Sequence, residues 1–211
     1  MENKLVSKKI KLTKNIMDEC LKSKKSHNLK WFKKGRVIEV NNRMQKNYTY
    51  TLTYNNGCNL EYNSNEIKIY NFKPQFTPCQ MLNMGIFEGK YCNDQIFEFP
   101  KEWFNLSKLS PEFPNPKLNY FKIKSRLNLQ EWNIRGWIPC GDNDMDTRGW
   151  FEWYCRYWLG RRQDNIDIIQ IKRWNAFKRH YVQYLKNTKG YPEKHPRRRQ
   201  SLLQWSYPCI E

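Results

Sequence analysis

The chain has 211 residues, 38 Lys and Arg against 20 Asp and Glu for a net charge of +18, and an aromatic content of 16% within 39% hydrophobic residues. That length suits one main domain with a small appended module, and the wealth of rings excludes a disordered polyelectrolyte. No run approaches the ~18 apolar residues of a membrane span. The start MENKLVSKKIKLTKN has no apolar stretch of signal-peptide length, so a protein without a membrane, working inside a cell, is expected.

Residues 1–30 read as a Lys-rich, partly flexible arm with a short helix around Ile16 to Leu21. From residue 31 the pattern changes to period two. GRVIEV (35–40), YTYTLTY (48–54), NLEY (59–62) and EIKIYNF (66–72) are rich in strand formers, and Asn56-Gly57 is a strong hairpin signal. Residues 31–74 are therefore expected to form a small antiparallel β module, a sheet or an SH3-like barrel of about forty residues, packed on the helical region C-terminal to it.

At Thr77 the pattern turns helical. Thr77-Pro78-Cys79-Gln80 is a capping box with Pro at the first helical position, and Gly85 is the matching C-terminal cap. A short helix begins at Pro100, residues 109–121 form a Pro-rich connector, and Asn128 to Glu131 offers another cap. DTRGWFEWYCRYWLGRR (146–162) places Trp150, Trp153, Tyr154, Tyr157 and Trp158 on one helical face, with Asp146 as cap and Arg161 and Arg162 at the C-terminal end. A helix over about 165–187 sets Ile171, Trp174, Phe177, Tyr181 and Leu185 against Lys172, Arg173, Arg179, His180 and Gln183. A third helix starts at Pro196 with Arg197, Arg198 and Arg199 in its first turn, where cations oppose the helix dipole and call for an external anion or a nearby acidic patch. The expected architecture is α+β, with the small β module followed by a mainly helical domain over residues 75–211.

GWI (136–138), DTRGWFEWYCRYWLGRR, QIKRW (170–174) and RRRQSLLQWSY (197–207) together resemble an uncharacterised family of large DNA viruses, bacteria and fungi. That family shares a D-P-R-G-W-F-x-W-Y-C-R-Y-x-x-G-R-R core and a C-terminal R-x-R-Q-x-L-L-x-W-x-Y helix. TPCQMLNMGIFEGKY (77–91), EFPKEWF (98–104), KLSP (108–111) and PKLNYF (116–121) extend the resemblance to about residues 76–207. Thr147 stands where the family usually has Pro, and Glu88 where Gly is common. The resemblance implies membership rather than a reaction, and its spread suggests a viral protein acting in host cytoplasm or nucleus.

Charge gathers at two poles. Residues 1–34 carry 11 Lys against three acids, whereas residues 148–200 carry 14 cations, nine of them Arg, against four acids. Lys enrichment fits an AT-rich genome, but Arg interleaved with Trp and Tyr suits phosphates and unpaired bases. Expected ligand contacts are Arg148, Arg156, Arg161, Arg162, Lys172, Arg173, Arg179, His180, Arg197, Arg198 and Arg199. The ring stripe itself is expected to face a core.

Asp142, Asp144 and Asp146 begin like an EF-hand loop, but Thr147 replaces its turn Gly and Trp153 its bidentate Glu. Seven scattered cysteines (Cys20, Cys58, Cys79, Cys92, Cys140, Cys155, Cys209) without a C-x-x-C spacing read as reduced, mostly buried thiols. No P-loop, nucleophile elbow or Rossmann glycine pattern occurs, so no cofactor and no metal site are expected. The leading expectation is sequence-independent binding of DNA or RNA. The alternatives are a nuclease-like or base-directed DNA repair or modification enzyme using Asp142, Asp144, Asp146 or Glu88, and a structural or scaffold protein binding a protein partner.

Overall fold

The computed structural model describes residues 11–57, 72–124, 129–134, 146–188 and 194–209. The fold is α+β: helix α1 (Lys14–Lys22), strands β1 (Val37–Val40) and β2 (Tyr48–Thr51), then helices α2 (Pro78–Asn83), α3 (Leu129–Ile134), α4 (Trp150–Leu159), α5 (Asp164–Thr188) and α6 (Pro196–Leu203). Short 3-10 turns at Lys101–Trp103, Leu106–Lys108 and Pro116–Leu118 replace the helix expected at Pro100 and punctuate the connector. Among the described residues no helix is long and apolar enough to cross a membrane.

One hydrophobic cluster runs from Leu12 to Cys209, and it includes Met17 and Cys20 of α1 and Phe32. The expected flexible arm is thus packed from residue 11 onward, while residues 1–10 lie outside the described set. Thr13 Oγ1 accepts the Ile16 N–H at 3.3 Å to start α1. The backbone N–H of Lys101 donates to the His27 carbonyl, and that of Leu29 to the Glu102 carboxylate, pinning the segment down. Lysine at the exposed positions of α1 disguised an amphipathic helix as a tail.

β1 and β2 pair antiparallel with Ile38 opposite Tyr50, and the period-two pattern buries Ile38 and Val40 while Val37 and Glu39 stay outside. The hairpin turns through Asn42, whose side-chain oxygen accepts the N–H groups of Met44 and Gln45. Asn56-Gly57 is not that turn; the Gly57 N–H donates to the Trp158 carbonyl at 3.0 Å. NLEY and all of EIKIYNF except Phe72 fall outside the described residues. Among the described residues the sheet has two strands, and an SH3-like barrel is not seen. Nor does the β module stand apart. Phe72 packs against Trp153, Tyr154, Tyr157 and Trp174, joining the sheet segment and the helices in one core.

The capping box forms as the sequence indicates: Thr77 Oγ1 accepts the Gln80 N–H while Gln80 Oε1 accepts the Thr77 N–H, and Gly85 follows the helix at φ +70°. Asn128 lies outside the described residues. α4 is the centre of the molecule, with all its residues except Trp158 buried. Its ring stripe is core, each large side chain contributing on the order of 1.5–3 kcal/mol by burial. Trp153 Nε1 donates to Asp167 Oδ1 at 2.7 Å and Tyr154 Oη to the Phe76 carbonyl at 2.9 Å, so the polar ends of these two rings are satisfied inside, whereas Trp150 Nε1 and Tyr157 Oη are buried without a hydrogen-bond partner. α5 carries Trp174, whose Nε1 donates to the Trp205 carbonyl, and Tyr207 Oη returns a bond to the Trp174 carbonyl. Leu185, expected in the core, is half exposed, and Tyr184 and Thr188 are buried instead, so the covered side of the last turns of α5 is the one carrying those two residues.

α4 ends at Gly160, φ +111°, whose carbonyl accepts the N–H groups of Thr53 and Tyr54 at 2.9 and 3.0 Å. A Cβ there would sit 2.0 Å from the Tyr54 carbonyl oxygen. Gly160→Ala is expected to cost about 1–3 kcal/mol from the backbone conformation alone, with the clash added. A urea midpoint equal to that of the parent protein would show that β2 and α4 are not locked at this point.

Candidate nucleic-acid interface

The eleven residues expected to meet a ligand divide sharply. Arg156 and Arg161 are buried and Arg148 nearly so. Arg156 Nε donates to Glu98 Oε1 at 2.6 Å, its Nη1 to Asp146 Oδ1 at 3.1 Å and its Nη2 to Gln45 Oε1 at 3.0 Å. Arg161 grips both Asp146 oxygens at 2.9 and 2.6 Å, and Arg148 grips both Asp94 oxygens at 2.8 Å. Gln95 Nε2 donates to Glu98 and Glu152, and the Arg148 backbone N–H donates to Glu152 Oε2. Tyr48 and Tyr50 of β2 cover the Arg156 guanidinium, each ring centroid 5.5 Å away. Three guanidiniums thus meet four carboxylates under the hairpin, and these arginines hold the β strands on α4 rather than facing solvent.

This network also corrects the role of Asp146. It does not cap α4, whose N-cap Gly149 has no side-chain capping bond; Glu152 accepts the N–H of Arg148, the residue before that cap. Both Asp146 oxygens are committed to arginines, so it is not offered to a metal or a substrate. Asp142 and Asp144 lie outside the described residues, and Glu88 is buried at φ +60°, a conformation that glycine favours. Among the described residues no group of three His, Cys, Asp or Glu side chains is placed to hold a metal ion. Cys20, Cys79, Cys92, Cys155 and Cys209 are free thiols, four of them buried.

Burial sets the titration inside the network. Burial would raise Asp94, but the Arg148 guanidinium overrides it and holds the carboxyl below its ordinary range. Burial pushes Glu152 up, and Arg156 with Arg148 pulls it back. Asp167, beneath Trp153 at the start of α5, is pushed by burial from an ordinary 3.8 to about 6, against the pull of the Gln163 and Trp153 hydrogen bonds. Between those values the folded protein binds more protons than the unfolded chain, so the Asp167 contribution to stability falls as pH rises from about 4 to 6. Asp167→Asn is expected to flatten that slope relative to the parent in urea titrations at pH 4, 5 and 6; identical slopes would refute the assignment.

Three further candidates are half buried and engaged with the protein itself. The Arg162 guanidinium lies 3.7 Å from the Tyr157 ring centroid and donates to the Tyr157 and Arg161 carbonyls at the end of α4. Arg173 donates to Gln170 Oε1, and Arg199 donates to the Cys209 carbonyl while lying over Phe121.

Lys172, Arg179, His180, Arg197 and Arg198 are exposed. Lys172 and Arg179, with Lys186, recur every seven residues and form one ridge along α5, about 21 Å long at 1.5 Å per residue. At the start of α6, Lys194, His195, Pro196, Arg197, Arg198 and Ser201 join His180 around an open cavity of about 490 Å³. No described carboxylate lies within ion-pair distance of Arg179, Arg197 or Arg198, and among the described residues no acid lines the cavity. Partial burial, then Arg179 and Arg198, lower the His180 pKa below its ordinary value. Behind this face rings stack inward from His180 through Phe177 and Trp205 to Trp150, with centroids 4.6, 4.7 and 5.0 Å apart.

No family model, curated protein or solved structure matches the chain.

The basic face therefore rests on its own chemistry. Lys186, Lys194 and His195 belong to it although the sequence did not single them out. Lys186 was legible as the third member of a seven-residue spacing. Lys194 and His195 precede Pro196 in a break, and only the approach of α6 to α5 sets them beside His180. Gln200 and Gln204 had no functional signal either; both donate to the Ile86 carbonyl at 3.1 Å and dock α6 onto the segment after α2.

Proposed function

We propose that this protein binds nucleic acid without sequence preference, through phosphates laid along the α5 ridge and against the first turn of α6. The observation that carries the reading is the gathering of Arg179, Arg197 and Arg198 beside Lys172 and Lys186 with no described acid pairing those arginines. Like charges held together in this way repel one another, and a phosphate backbone relieves the repulsion. The ring stripe of α4 is spent on the core, so binding is driven by phosphate rather than by base stacking. This reading places the protein inside the cell, in host cytoplasm or nucleus if it is viral as the family resemblance suggests.

Fluorescence anisotropy with labelled single- and double-stranded DNA and RNA across 50–200 mM salt tests it. The expected result for duplex DNA is log K falling with log salt at a slope of about −0.9 per phosphate neutralised, or roughly −4.5 if Lys172, Arg179, Lys186, Arg197 and Arg198 each neutralise one. Absence of binding to all four at 50 mM salt would reject the proposal. A second reading, a protein partner on the same face, is favoured by exposed Ile169, Val182 and Leu185 on α5. An apolar interface of that kind would be nearly insensitive to salt.

A further inference from the structure

We propose that the C-terminal half of α5 enters the major groove of B-form DNA, so that the polymer this face fits is double-stranded DNA rather than RNA or a single strand. The inference rests on the nucleic-acid reading and names the kind of nucleic acid and the groove.

Exposure changes along α5. Of the ten residues 178–187, eight are exposed, and only Tyr181 and Tyr184 are covered by the body of the protein. At 3.6 residues per turn the exposed positions sweep an arc of roughly 220°, so this stretch stands out as a rod about 15 Å long, open on three sides. Arg179 and Lys186 occupy the middle of the arc, Val182 and Gln183 flank them, and Lys178 and His180 lie toward its two edges. No acid occurs from residue 168 to residue 188. Beside the His180 edge stand Arg197 and Arg198 at the start of α6, which line one cavity with it.

A ridge that lies across phosphates needs one exposed side. A rod open on three sides, with cations in its middle and toward both edges, suits a groove walled by phosphates, and size decides which groove. An α-helix with its side chains is about 10–12 Å across, whereas the B-DNA major groove is about 12 Å wide and the minor groove only about 6 Å. The major groove of A-form RNA is deep and too narrow for side chains to read. A single strand is gripped by stacking its bases on rings, and none of the eight exposed residues is Trp, Tyr or Phe. In the DNA groove Lys178 faces one phosphate wall, while Arg197 and Arg198 stand beside the other. The floor opposite Arg179 and Lys186 presents a purine N7 acceptor at every base pair, so contact there needs no particular sequence. Val182, exposed in the protein, meets thymine methyl groups instead of water.

The test uses the full chain and blunt duplexes of about one helical turn with the same sequence, one of DNA and one of RNA, beside the DNA single strand. Anisotropy at 100 mM salt should show the DNA duplex bound at least about 10-fold tighter than either of the others, the worth of one good base-edge contact. With protein at saturation, guanine N7 in the major groove should be protected from dimethyl sulfate, while adenine N3 in the minor groove stays reactive. Gln183→Glu, with unchanged circular dichroism, should weaken duplex DNA binding at least about 10-fold by setting an acid among those contacts. An RNA duplex or a single strand bound as tightly as the DNA duplex, guanine N7 still reactive, or an unaltered affinity of Gln183→Glu overturns the placement of α5 in the major groove while leaving general phosphate binding in place. Failure of all three polymers to bind at 50 mM salt overturns the nucleic-acid reading, and this inference with it.

Discussion

Arg156→Leu is expected to destabilise the protein by about 3–5 kcal/mol, the cost of leaving a buried charge set without one of its counterions. Glu98, Asp146 and Glu152 all face this guanidinium, and Gln45 ties it to the hairpin turn. Removing it leaves three buried carboxylates around Arg161 and Arg148, which are themselves occupied by Asp146 and Asp94. For a chain of this size the loss corresponds to a fall in Tm of about 6–20 °C. Arg156→Lys should recover only part of it, because an ammonium keeps the charge but cannot present Nε to Glu98 and two further nitrogens to Asp146 and Gln45. A thermal midpoint within a degree or two of the parent for Arg156→Leu would show that the network relaxes by taking up protons or water, and would remove its claim to hold the hairpin on α4.

Arg197→Glu/Arg198→Glu should act in the opposite sense on stability and strongly on binding. The two arginines stand at the positive end of α6, with no acid in its first turn. Reversing them replaces an unfavourable dipole contact by a favourable one, worth about 0.3–1 kcal/mol per residue. Binding should weaken on the order of 100-fold or more at moderate salt, since two charge-assisted phosphate contacts are lost and two repulsions replace them. The salt slope should shrink by about two phosphate contacts. A gain in stability with a loss of binding would mark the pair as held for a ligand at the expense of the helix. Unchanged binding would move the interface off α6 altogether.

Much of the architecture was written in local patterns. The capping box at Thr77 and Gln80, the ring face of α4, the long amphipathic α5 and the Pro196 start of α6 each depend on contacts within four residues, which a sequence displays directly. The exposed half of the candidate site was legible for the same reason: Lys172, Arg179 and Lys186 share one helical face opposite Trp174.

The other half was not. Arg148 and Arg156 fall on the side of the 146–162 run away from the rings, Arg161 follows the end of α4, and a charged face opposite an apolar one ordinarily meets water. Periodicity identifies a face; it does not say whether another part of the chain covers it. Here Asp94 and Glu98, more than fifty residues upstream, and Gln45, Tyr48 and Tyr50, about a hundred upstream, close over that face and turn it into a second, ionic core. The lysines of α1 misled in the reverse direction, since a short helix can bury Met17 and Cys20 while its other positions remain a tail in composition. The sequence by itself determined most of the helices, the capping box at Thr77 and the basic ridge, because these rest on local hydrogen bonding and 3.6-residue spacing. Only the tertiary structure decided which arginines are counterions and which lie exposed with no described carboxylate beside them, because that depends on where distant carboxylates come to rest.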